Sequence, residues 1–191
     1  MNQIDATVIW ALDFSAQRHK GQTRKGKDNT PYINHPIQVV ALLTKQGEVD
    51  APLLMAAALH DVIEDTASTP EQIEALSQTI EAEFGGQVLA IVKEVSDDKN
   101  LPFSERKRLQ VINTPNLSDE AKKLKIADKT CNIMDMIHEP PTGWSRERKL
   151  GYLDWARQVI DGARGVNPRL ESEFDYYRQQ AYRHFSQTRS Q

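Results

Sequence analysis

An all-α fold is what this sequence predicts, on three observations. Apolar residues return at helical intervals, as in Ile4, Val8 and Leu12, in Ile37, Val40 and Ala41, and in Ile73, Leu76 and Ile80, the spacing that lines one face of a helix. Breakers and caps cut the chain into helix-sized pieces. No stretch alternates apolar and polar residues over a strand's length, and even the aromatics Tyr152 and Trp155 fall at helical spacing with Ala156 and Val159.

The elements follow in order. A first helix carries Ile4, Val8 and Leu12 and gives way to a polar, basic, glycine-containing loop at residues 20–34, KGQTRKGKDNTPYIN. A loop of that length without structure of its own inside a compact domain is more often functional than idle. Pro36 reads as a first-turn proline of the second helix and Pro52 of the third. Thr69, Pro70 and Gln72 form a capping box for the next helix. A further helix runs from Leu124 through Met134 and Ile137 and ends at a Pro/Gly turn carrying a tryptophan, residues 139–145; Asn167-Pro168 opens the last segment.

Composition sets the limits. The 191 residues, 39% hydrophobic and 27% charged, suit one globular domain and exclude disorder over the whole length. Every apolar run is interrupted well before the ~18 residues of a membrane span, and the N-terminus lacks the basic region and solid apolar stretch of a signal peptide. The expected protein is cytoplasmic with no membrane partner: a single domain over residues 1–185 and a frayed tail over 186–191. A net charge of −3 argues against a broad basic surface for nucleic acid, while local basic clusters remain able to hold a small polyanion. The lone Cys131 can form neither an intramolecular disulfide nor a Cys-rich zinc site, and reads as a small buried side chain.

The chemistry concentrates in residues 53–65, LLMAAALHDVIED. Seven apolar residues mark a helix buried on every side, yet it runs straight into His60, Asp61, Glu64 and Asp65. A carboxylate left unpaired there costs several kcal/mol, so a cation or a hydrogen-bond network is required. On a continuous helix His60 and Glu64 lie four apart and Asp61 and Glu64 three apart, close enough to converge. Two other segments offer further ligands: His35 in YINHP, fixed beside Pro36, and Asp128, which interrupts the apolar run Leu124, Ile126, Ala127 in LKIADKTCN. Two imidazoles and two carboxylates suit Mn²⁺, Fe²⁺, Zn²⁺ or Mg²⁺ without choosing among them.

His35, the pair His60-Asp61 and Asp128 resemble the H…HD…D signature of HD-domain metal-dependent phosphohydrolases. YINHP, HDVIED at residues 60–65 and KIADKTCN, together with Asp97-Asp98-Lys99, ERKRLQ at 105–110 and GWSRERKLGYLDWARQVIDG at 143–162, look like the hydrolase domain of RelA/SpoT-type alarmone enzymes, closest to the small stand-alone hydrolases related to the metazoan SpoT homologue. The likeness extends over about residues 5–175 and implies an HD-domain helical bundle. It also implies Mn²⁺-dependent hydrolysis of the 3′-diphosphate of guanosine tetra- and pentaphosphate, giving pyrophosphate and GDP or GTP.

By the same resemblance His35, His60, Asp61 and Asp128 are the metal ligands, and Glu64 and Asp65 the catalytic acidic pair. Arg24 and Lys25 match a pair that grips the nucleotide, Asn132 a residue that contacts the nucleoside, and Arg148 and Tyr152 residues that reach the 5′ phosphates; Lys99 is a further substrate contact. ERKRLQ itself reads as the exposed face of a helix with close-range ion pairs. The chain departs from the family pattern at Thr130, Cys131 and Met134, where Leu, His or Tyr, and Arg are common. Those departures fall near the nucleoside pocket and keep open another phosphorylated nucleotide such as NADPH. A non-catalytic nucleotide-binding module is the remaining alternative, disfavoured by the intact metal set and acidic pair. A synthetase domain is not expected.

Overall fold

The computed structural model describes residues 3–187, with side chains from residue 6 onward. The elements are α-helices α1 (Gln3–Arg18), α2 (Asn34–Lys45), α3 (Ala51–Leu59), α4 (Val62–Thr66), α5 (Pro70–Phe84), α6 (Gly86–Val95), α7 (Phe103–Asn113), α8 (Asp119–His138), α9 (Arg146–Asp161) and α10 (Pro168–Gln187), with a 3₁₀ turn at Thr114–Asn116. The all-α expectation holds: among the described residues the one β pairing is an isolated bridge between Thr23 and Pro31.

The caps written in the sequence form. Asp50 accepts from the Leu53 N–H at the start of α3, Thr69 from Gln72 N–H at α5, Ser118 from Ala121 N–H at α8 and Ser145 from Arg148 N–H at α9; each cap is worth about 1 kcal/mol. Gln72 completes its box on the Ser68 N–H, at 2.8 Å. Asn167 Oδ1 receives the N–H groups of Arg169 and Leu170 ahead of α10. That last helix runs to Gln187, taking in the first two residues of the expected frayed tail; residues 188–191 lie outside the described part.

α3 is the hub. All seven residues from Leu53 to Leu59 are buried, and the helix packs against α1, α2, α6 and α8. Burying one such leucine contributes about 1.5–3 kcal/mol, so a sheathed apolar helix is a rigid post on which to end a polar site. α10 lies along α8, α5 along α6, and α9 touches α7, α8 and α10. No helix among the described residues is long and apolar enough to cross a membrane.

Two expectations about faces are corrected. On α2, Ile37 is 45% exposed and Ala41 is exposed; the buried face is His35, Pro36, Val39, Val40, Leu42 and Leu43. Ile73, 39% exposed, likewise sits at the edge of the α5 face whose buried members include Leu76 and Ile80. The Ile4 side chain lies outside the described part, while Cys131 is buried as expected.

Candidate active site

His60 and Asp61 sit at a break between α3 and α4, where the sequence pattern suggested one continuous helix. The His60 Nδ1–H donates to the Ala57 carbonyl at 2.9 Å, taking the acceptor that the Asp61 N–H would use in an uninterrupted α-helix. Helical geometry resumes at once, with Asp65 N–H on the Asp61 carbonyl at 2.8 Å. The break aims both side chains inward without moving Glu64 and Asp65 out of reach.

His35 comes from the first turn of α2 and Asp128 from the middle of α8. The His35 Nε2 lies 3.2 Å from Asp128 Oδ1 and 3.8 Å from Asp61 Oδ2; the His60 Nε2 lies 3.0 Å from Asp61 Oδ2 and 4.0 Å from Asp128 Oδ1. His35, His60 and Asp128 each offer a ligand atom within 4.8 Å of the other two. Both histidines are buried. With its Nδ1–H committed to Ala57, His60 turns an Nε2 with no aligned hydrogen bond toward the carboxylates. A converging set of two imidazoles and two carboxylates is a donor set that fits a divalent cation.

Burial and the neighbouring charges together set the protonation of these groups. Burial alone lowers His60, but the Asp61 and Asp128 carboxylates reverse this and hold it raised to about 9. Burial dominates at His35 and lowers it. Asp61 and Asp128 are held below the usual carboxylate range against burial, the first by His60 and the second chiefly by Lys129.

Two side chains that the sequence reading passed over orient these groups. The Tyr32 hydroxyl donates to Asp61 Oδ2 at 2.7 Å; burial and that carboxylate push the phenol far above its usual pKa, keeping it a donor. The buried Lys129 ammonium donates to Asp128 Oδ2 at 2.8 Å and rests over the Trp155 ring. Asp128 Oδ1 is thereby left facing the histidines, and it also accepts from the Asn132 amide. Both residues lie inside YINHP and KIADKTCN, yet nothing in those motifs signals that Tyr32 reaches Asp61 or that Lys129 folds back onto its neighbour Asp128.

Glu64 and Asp65 line up beside this centre under basic groups. Glu64 Oε2 accepts from the Asp97 N–H at 3.0 Å, and its Oε1 lies 4.0 Å from Lys99 Nζ and 3.8 Å from Arg106. Burial raises its pKa. Lys99 also binds Asp65 Oδ1. The ERKRLQ segment thus divides: Glu105 and Arg108 make the expected exposed pair, while Arg106 turns toward Glu64 and Gln110 holds Asp97 Oδ2 at 2.8 Å.

On the opposite side, the Arg24 guanidinium donates to Asn132 Oδ1 and pairs with Asp135, both at 2.8 Å, and the Asn132 amide donates to Asp128 Oδ1. One asparagine links the basic loop to the carboxylate that faces the histidines. Lys25 is exposed next to it. Tyr152 packs between Trp144 and Trp155 with its ring tilted 59° and 55° to theirs, within electrostatic reach of Lys129, Asp128 and Arg24, and Arg148 lies over the Trp144 ring, 4.4 Å from its centre. The structure brings Arg24, Asn132 and Tyr152 to the centre and sets Lys25, Lys99 and Arg148 further out. Of the departures, Thr130 bonds the Ile126 carbonyl and Cys131 is buried, so neither adds a polar group to the site.

A buried His/Asp centre spread over three helices of an all-α bundle is the arrangement the HD motif describes, and the profile described as "HD domain" matches residues 11–149. The chain belongs to the HD domain family. It is 44% identical over 177 residues to the guanosine-3′,5′-bis(diphosphate) 3′-pyrophosphohydrolase MESH1 of Xenopus tropicalis, covering 92% of this chain and 95% of that one. It is 46% identical over 167 residues to the Homo sapiens protein of the same name, covering 87% and 89%. A solved structure of a metazoan ortholog of SpoT that hydrolyses ppGpp superposes with a TM-score of 0.84 at 41% identity, covering 92% of this chain and 95% of that chain. The likeness to the small stand-alone hydrolases is borne out.

Proposed function

We propose that this chain is a metal-dependent 3′-pyrophosphohydrolase of guanosine tetra- and pentaphosphate, a cytoplasmic enzyme whose residues 1–185 form one catalytic domain. The observation that carries the reading is the convergence of His35, His60, Asp61 and Asp128 at 3.0–4.0 Å beside Glu64 and Asp65, together with relatives of that named activity over nearly the full length. The four residues are the proposed ligands of a divalent ion, Mn²⁺ in our reading. When bound, such an ion lowers the pKa of a water and polarises a phosphoryl oxygen.

The rest is the work of the chain's own groups. Hydrolysis consumes one water: its oxygen joins phosphorus, the bond from phosphorus to the ribose 3′ oxygen breaks, and that oxygen needs a proton. Glu64, raised by burial, is suited to take a proton from the water and pass one on. Lys99 beside Asp65 holds the acidic pair in place and offers positive charge to the departing diphosphate. Arg24, Lys25 and Asn132 grip the nucleotide, and Arg148 and Tyr152 face its 5′ phosphates.

The test is product analysis by anion-exchange chromatography. Metal-stripped protein is incubated with guanosine tetraphosphate with and without Mn²⁺, and with NADPH in parallel. GDP and pyrophosphate only with Mn²⁺ is the expected result. Consumption of NADPH alone would mean that the Thr130, Cys131 and Met134 departures have redirected the pocket.

A further inference from the structure

The 20–34 loop is not structureless. The Arg24 N–H donates to the Thr30 carbonyl at 2.8 Å and the Tyr32 N–H to the Gln22 carbonyl at 2.9 Å, making a short hairpin around the Thr23–Pro31 bridge. Its tip, residues 25–29, is largely exposed and turns with Asn29 at a φ of 51°. Such a tip has almost no apolar burial to order it, so its shape depends on a few polar contacts.

Those contacts come from the turn after α8. Glu139 Oε1 accepts from the Asp28 N–H at 3.1 Å, and Oε2 accepts from the Thr30 hydroxyl at 2.7 Å. The Thr142 N–H donates to the Lys25 carbonyl at 2.9 Å. The carboxylate lies in the space beside Gly26: a Cβ there would sit 2.1 Å from Glu139 Oε1 and 2.3 Å from its Cγ. Glu139 also closes α8, its N–H on the Asp135 carbonyl at 2.7 Å, and Asp135 is the partner of Arg24. The last turn of α8 thus holds the base of the loop through Asp135 and its tip through Glu139.

We propose that Glu139 is a positioning residue for nucleotide binding: its carboxylate, seated against Gly26, holds the 25–30 tip so that Lys25 is presented beside Arg24. This rests on the reading of Arg24 and Lys25 as the nucleotide grip. Arg24 keeps Asp135 and Asn132 and the Lys25 carbonyl keeps the Thr142 N–H whether or not the Glu139 carboxylate is present, so loss of Glu139 frees the tip beyond that bond and loosens Lys25 while leaving the His/Asp centre and the acidic pair as they are. Substrate binding suffers and the chemical step does not.

Two readouts test this. Trypsin cleavage after Lys25 and Lys27, followed by mass spectrometry, reports tip order without any substrate. KM and kcat for guanosine tetraphosphate report its consequence. In Glu139→Ala, cleavage quickens and KM rises, each about tenfold for the loss of two charge-assisted hydrogen bonds, with kcat and bound metal within about a factor of two. Glu139→Gln keeps one acceptor oxygen and falls between. Gly26→Ala, which evicts the carboxylate while Glu139 remains, repeats the Glu139→Ala result and serves if that variant folds poorly. Wild-type cleavage in both Glu139→Ala and Gly26→Ala overturns the proposal, as does a lower melting temperature with KM unchanged. If no version turns over guanosine tetraphosphate the functional reading fails, and the cleavage rates alone decide whether Glu139 orders the tip.

Discussion

The centre and the rim of this site are built in opposite ways. The centre takes His35 from α2, His60 and Asp61 from the α3–α4 junction and Asp128 from α8, all fixed on packed helices, with both histidines almost fully buried. The rim takes Lys25 from a hairpin tip, Lys99 from the α6–α7 connection and Arg148 from the first turn of α9, all exposed. Rigid elements give the geometry that a metal and a water need, whereas loops give charges that can reach out to a polyanion. A change at the centre should therefore abolish the reaction, while a change at the rim should only weaken the grip.

Asp61→Ala is the most severe break in the centre. It removes the partner of both His60 and Tyr32, and we expect metal content to vanish and turnover to fall by more than about a thousandfold. Metal analysis of the purified variant decides it; an Asp61→Ala protein that still holds a stoichiometric ion would move the ligand set elsewhere. Glu64→Ala separates the centre's two tasks. Its metal should stay, while kcat drops by about 10²–10⁴, and undiminished kcat would remove Glu64 from its role.

The same centre sets a pH dependence. In the metal-free protein Asp61 keeps His60 protonated up to about 9, against 6.5 for a free histidine. A raised folded pKa stabilises the metal-free fold fully below 6.5, and that contribution is lost as pH climbs through 9. A cation must displace this proton, so metal affinity should climb by up to about tenfold per pH unit over that window and then level. Titrations from about pH 6.5 to 8.5 that return one unchanging Kd would contradict the pairing. Arg24 links the basic loop to the centre through Asn132, and Arg24→Ala should raise KM by roughly tenfold with kcat within a few-fold; a collapse of kcat instead would show that Asn132 passes the loss on to Asp128.

The same division governs what the sequence could reveal. Residues of the centre were legible because their types are costly to bury and stand in short local motifs: an His-Asp pair ending seven apolar residues has few bland explanations. The fold class was legible from periodicity, yet the buried face of α2 was misjudged, since its buried members include His35 and Pro36 while Ile37 faces out. A face that serves a site is partly polar, and a search for apolar stripes slides past it. Tyr32, Lys129, Arg106 and Glu139 were hidden for a different reason. Tyr32, Arg106 and Glu139 act through contacts made by tertiary packing, on Asp61, on Glu64 and on the 28–30 backbone and hydroxyl, and Lys129 folds back onto its sequence neighbour Asp128; nothing in the sequence around them marks these contacts.

Arg106 sits where centre meets rim, and the comparison is sharpest there. Its guanidinium is 3.8 Å from Glu64 Oε1, its Nε makes no hydrogen bond among the described residues, and Gln110 one turn on braces Asp97, whose N–H holds the other Glu64 oxygen. A cation at that distance favours the charged form of Glu64 against burial, which raises its pKa. Arg106→Met should therefore move the acidic limb of the rate profile upward by a few tenths of a pH unit and lower kcat only a few-fold at neutral pH. Arg106→Lys should recover part of the shift, because charge rather than fork geometry is what the 3.8 Å contact uses. A rise in KM with an unmoved acidic limb would assign Arg106 to the rim instead, as a contact for the phosphates.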